Sequence, residues 1–110
     1  IANSLLDYQD FETGSKILEG AAERNPRDLS ALWGLALYQE ITGNPEKAIE
    51  IRLRIENLDP WNAKNYLRLM NDYLNSGKKA EANAVFLKIE SFAKDTFEGQ
   101  QARDLSSKLG

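Results

Sequence analysis

Lys64 and Arg68 stand four residues apart, so on a helix both side chains leave the same face. A planar guanidinium fork beside a mobile ammonium suits the grip of a carboxylate. Asn71 and Asn75 continue that polar stripe. Nothing comparable exists for bond-making chemistry. The chain has no histidine and no cysteine. Their absence removes Ser-His and Cys-His nucleophiles, thiol catalysis, disulfides, Cys-zinc sites and the commonest transition-metal ligand. The carboxylate pairs Glu46/Glu50 and Asp7/Asp10 have the spacing of ordinary surface charges on a helix. There is no glycine-rich phosphate loop and no calcium-loop spacing. The expectation is therefore no catalytic site, no metal, no cofactor and no enzyme.

A chain of 110 residues makes one domain with room for a real core. Its 14 basic and 17 acidic residues leave a net charge of −3, which argues against a nucleic-acid surface. No segment approaches the ~18 apolar residues of a membrane span. The last segment has only Arg103 and Lys108, too few for a basic membrane-binding face. The chain opens at Ile1 without Met, so a fragment of a longer protein is expected. The compartment is not readable, with the cytoplasm as default.

The elements that must position these side chains repeat. Pro26 and Pro60 are 34 residues apart, as are Gly43 and Gly77, and Gly14, Ala48 and Ala82 share the same spacing. Each period reads as two helices. Asp28 caps a helix towards Thr42 with Leu32, Leu35, Ala36 and Tyr38 on one face, and Gly43 ends it. Asn44 and Pro45 open a second, with Ala48, Ile51, Ile55 and Leu58 inward, stopped by Asp59-Pro60. Asn62 opens the next, with Tyr66, Leu69, Met70 and Tyr73, and Gly77 breaks it. Ala82, Val85, Phe86, Ile89 and Phe92 mark the helix after that. In the first period a short helix to about Tyr8 precedes one from Asp10 or Phe11 to Arg24. Asp95 to Glu98 reads as a cap with a reciprocal carboxylate, opening a terminal helix with Ala102, Leu105 and Leu109 as its apolar stripe. The pattern predicts an all-α chain of about seven helices and no strand.

On these residues the chain resembles the tetratricopeptide repeat (TPR) family. The signature positions are Ala2, Leu5, Gly14, Leu18, Ala21 and Pro26, then Leu32, Leu35, Ala36, Gly43, Ala48, Ile55 and Pro60. In the last repeat they are Tyr66, Leu69, Met70, Tyr73, Gly77, Ala82, Phe86 and Ile89. The departures are Gln39 for an aromatic, Arg52 for an aromatic or aliphatic, and Lys94 for the closing proline. The related RNA-reading pentatricopeptide type is the alternative, disfavoured by the acidic balance. The resemblance implies a right-handed α-α superhelix in a single domain over 1–110. Its repeats would be about 1–28, 29–62 and 63–96, with a capping helix about 96–109.

The resemblance also implies a concave groove lined by the first helix of each pair, with a peptide or partner protein in it. Family members that hold a C-terminal carboxylate use Lys and Arg of a third repeat and Asn of a first, where this chain has Lys64, Arg68 and Asn3. Gly34 stands where that pattern wants asparagine. The alternative is a solvated face. Trp33 and Leu37 either hold an apolar anchor of the ligand or complete ordinary packing, and Trp61 is expected as a plug between repeats. The expected groove set is thus Asn3, Trp33, Leu37, Lys64, Arg68, Asn71 and Asn75, with Arg52 on the outer helices. A structural role is the competing function, by self-association or by packing on other domains. The run Leu58 to Leu67 also looks like TPR tails of bacterial membrane polysaccharide polymerases or ligases.

Overall fold

The computed structural model describes residues 4–107, with side chains from residue 13 onward. It is all-α, with six helices and no strand among the described residues. These are α1 (Ser4–Arg24), α2 (Leu29–Ile41), α3 (Pro45–Leu58), α4 (Ala63–Asn75), α5 (Lys79–Ala93) and α6 (Phe97–Ser106). No helix among the described residues is long and apolar enough to cross a membrane.

Three of the helices start by the same device. Asp28, Asn62 and Thr96 follow one another at 34-residue steps, each with extended backbone. Each side chain accepts a hydrogen bond from the backbone N–H three residues on, at 3.1 Å from Ala31, Asn65 and Gly99. Such a cap is worth ~1 kcal/mol. The starts of α3 and α5 are also 34 residues apart but lack a side-chain cap. The cap expected of Asn44 is not made; its amide donates to Thr42 Oγ1 instead. There the preceding glycine fixes the geometry. Gly43 and Gly77 have φ of +82° and +74°. The following N–H groups, of Asn44 and Lys78, donate back to Gln39 and Tyr73 carbonyls at 2.8 Å. This glycine-dependent closure satisfies the last carbonyls of α2 and α4.

Two expectations fail at the ends of the chain. The first period holds one continuous 21-residue helix, so the count is six where seven were expected. The position equivalent to Gly43 and Gly77 is Gln9. A β-carbon makes the left-handed turn cost about 1–2 kcal/mol, and the helix runs through. In α6 the cap is Thr96 rather than Asp95, so Gly99, not Glu98, occupies the third helical position and no reciprocal carboxylate bond forms. Gly99 is buried there because α6 is seated on the end of α5. A β-carbon on it would run into the Ala93 and Lys94 carbonyl oxygens.

Each helix packs on the next, and α6 also reaches back to α4. One apolar cluster joins Ala22 of α1, Ala31, Leu32 and Leu35 of α2, and Ile55 of α3. The other joins Ile49, Tyr66, Leu69, Met70, Val85 and Ile89 with Ala102 of α6. Leu105 is half-buried against it, and Leu109 lies outside the described residues. Trp61 is not a buried plug. It is 73% exposed, its ring set nearly perpendicular to that of Phe92 at 5.4 Å between centroids. Tyr66 takes the inner place, edge-on to Phe92, with its hydroxyl donating to the Pro60 carbonyl at 2.7 Å.

Gly34 is the second tight approach: a β-carbon there would lie 2.5 Å from Leu18 Cδ1. That obstacle is the movable tip of a side chain, whereas the one at Gly99 is backbone. Gly99→Ala should therefore lower stability by about 1–3 kcal/mol in urea unfolding, and Gly34→Ala by clearly less. Equal midpoints for the two variants would contradict this packing.

Candidate functional site

The side chain at position 52 decides the character of the α2–α3–α4 junction. Its equivalents one period away are Leu18 and Phe86. Arg52 was expected on the outer surface, but it is fully buried. A buried guanidinium must be paired and hydrogen-bonded. Its Nε and Nη2 donate to the two carboxylate oxygens of Glu40 at 2.7 and 3.1 Å, a fork-to-fork pair. Nη1 donates to Asn65 Oδ1 at 3.1 Å, and the Asn65 amide donates back to the Arg52 carbonyl at 3.0 Å. The Trp33 ring lies under the guanidinium, 4.5 Å from Cζ. Asn65 stands where the neighbouring periods have Ala31 and Gly99. The polar partner is thus supplied at the register position that is otherwise small.

Asp72 closes the cluster from α4. It is 1% exposed, with Oδ2 3.6 Å from Arg52 Nε. As a carboxylate it would leave that oxygen without a hydrogen-bond donor. Burial, then the hydrogen bond to Glu40 and the charge of Glu40, push its carboxyl up to about 8, against the opposing charges of Arg52 and Arg68. That shift favours the neutral, protonated form of Asp72, in which its carboxyl can donate to Glu40. Burial alone would raise Glu40 too. The hydrogen bonds from Arg52 and Asp72, with the charges of Arg52 and Arg68, outweigh it and hold Glu40 below its ordinary value.

The expected groove residues fall around this cluster. Trp33 is half-buried, one face covered by Arg52 and the ring packed against the first apolar cluster. Leu37 is half-buried. Lys64, Arg68, Asn71 and Asn75 are exposed on α4. Arg68 Nη1 lies 3.4 Å from Glu40 Oε1, which ties α4 to α2 across the junction. Arg68 and Asn71 also line a depression of about 400 Å³ between α4 and α6, with Leu67, Gln101, Asp104 and Leu105. Lys64 and Asn75 do not line it. Asn3 lies outside the described residues. No metal-holding group of acidic side chains occurs among the described residues.

Sequence reasoning missed Asn65 and Asp72. The signal was present: an arginine in register with Leu18 and Phe86 demands buried partners. The candidates on the next helix are the polar residues 13 and 20 positions on.

Two outcomes follow. Arg52→Leu should cost about 3–5 kcal/mol, because Glu40 loses its buried counter-charge. Adding Asn65→Ala, which copies the Leu18/Ala31 pair, should recover at least ~1 kcal/mol of it in urea unfolding. The second concerns pH. With Asp72 at about 8 when folded and 3.8 when unfolded, the folded state binds the extra proton between those values. Stability should fall as pH rises from about 4 to about 8, and Asp72→Asn should flatten that slope in thermal melts. A scan against protein-family models and a search of the curated proteins find no match for this chain.

Proposed function

We propose that the chain is a TPR-type right-handed α-α solenoid segment acting as a protein-interaction module. A peptide or partner segment would lie along the face shared by α2, α4 and α6. The observation that carries the reading is the common register of those helices, each opened by the same side-chain cap at 34-residue steps. Helices α3 and α5 follow them at the same spacing, behind glycine turns of the same hand. A radius of gyration of 14.9 Å, above the ~13 Å of a compact chain of this size, supports an elongated stack. The α4 face supplies Lys64, Arg68 and Asn71, and the favoured ligand carries a carboxylate beside an apolar side chain.

A second reading has its own support. Leu53 of α3 and Leu87 of α5 are 34 positions apart and both exposed. They give the outer helices an apolar element suited to self-association or to packing on another domain.

The binding reading is tested by affinity capture with the domain, followed by titration of the captured partner against Lys64→Ala/Arg68→Ala. An exposed charged contact is worth up to ~1 kcal/mol, so removing two should weaken binding about five- to thirtyfold. Arg54→Glu, exposed on α3, is the outer-face control; Arg52 cannot serve because it is buried. Loss of binding on Arg54→Glu, with the α4 variant unaffected, would move the function to the outer helices.

A further inference from the structure

We propose that the buried Asp72 is a positioning residue for Arg68, and that its proton sets how much positive charge the α4 face offers an incoming carboxylate. This rests on the peptide-binding reading above.

Four charged or titratable groups from three helices meet here: Glu40 of α2, Arg52 of α3, and Arg68 and Asp72 of α4. Both Glu40 oxygens are already engaged by Arg52. With Asp72 neutral, the cluster holds two cations and one anion. The surplus positive charge belongs to Arg68, whose side chain is 51% exposed while that of Arg52 is fully covered. Once Asp72 ionises, the charges cancel. Arg68, one turn before Asp72 on α4, is then drawn inward by two carboxylates instead of one. The proton thus separates a state in which the cluster carries a net positive charge at the depression from a state in which its charges cancel.

The charges acting on Asp72 are Glu40, Arg52 and Arg68; α5 lends none of its own to this set. From α6, Asp104 lines the same depression as Arg68. Burial beside Glu40 places the transition at about 8. A chain without histidine or cysteine has few other groups titrating there, the α-amino terminus being one.

N-acetyl-L-leucine is the probe, with its uncharged amide as control, titrated against the ¹⁵N-labelled protein by NMR at pH 6, 7, 8 and 9. The wild type should lose about threefold in affinity for the acid between pH 6 and 9, as expected for removing one partly screened charge. Asp72→Asn, which has no proton to lose, should hold one affinity across the range. Arg68→Ala should bind the acid no better than the amide. Arg68-dependent binding with the same pH profile in wild type and Asp72→Asn overturns the inference and leaves the binding reading standing. No Arg68-dependent binding at pH 6 overturns both. A ¹³C-carboxyl titration of the wild type supplies a check independent of any variant. Asp72 titrating near 4, or the Arg68 Nε resonance failing to follow it, sinks the proposal.

Discussion

A guanidinium removed from water must be answered on every side, and that demand organises the middle of this protein. Arg52 takes a two-point carboxylate from α2, an amide from α4, an aromatic face from Trp33 and a neutralised acid from Asp72. Each contact fixes the rotation of a helix about its own axis, because each arrives from a defined angle. Apolar contacts on either side are more permissive: Leu18 can shift against Gly34 by turning a methyl. The two apolar clusters supply the bulk of the burial, and the ionic junction sets how the helices that carry them are aligned.

The same junction links stability to the exposed face. Glu40 is held by Arg52 inside and touches Arg68 outside. A change at the surface arginine is therefore felt by a buried carboxylate pair, and a change of protonation inside is felt at the surface. Core and rim are coupled electrostatically through one side chain, Glu40.

Much of the architecture was legible because glycine, proline and capping residues act locally. Gly43, Gly77, Asp28, Asn62 and Pro45 each dictate a turn or a helix start from their own covalent geometry, and the helices began and ended where those residues placed them. The first period was misread because its break depended on a glycine that is Gln9 here. The start of α6 was misread because Thr96 and Asp95 are both good caps. The choice between them is made by a tertiary contact, the close seat of Gly99 on α5. The exposed stripe on α4 was visible from spacing. The buried partners of Arg52 were not, because a polar residue inside a helix pattern is ordinarily placed outward. The one sequence signal that partners must turn inward was indirect, the register of Arg52 with Leu18 and Phe86, and it is the structure that shows Asn65 and Asp72 to be buried.

Helices of matched length and matched start points carry a hazard: one could dock in another's place, within a chain or between two chains. The unlike junctions resist this. Arg52 displaced by one period would face Ala31 or Gly99 where it now meets Asn65. It would lie buried with hydrogen-bond donors unanswered, while Glu40 was left without its buried cation. A slipped or domain-swapped arrangement would therefore keep its greasy contacts and still be rejected, because this buried charged layer works as a key that fits one slot.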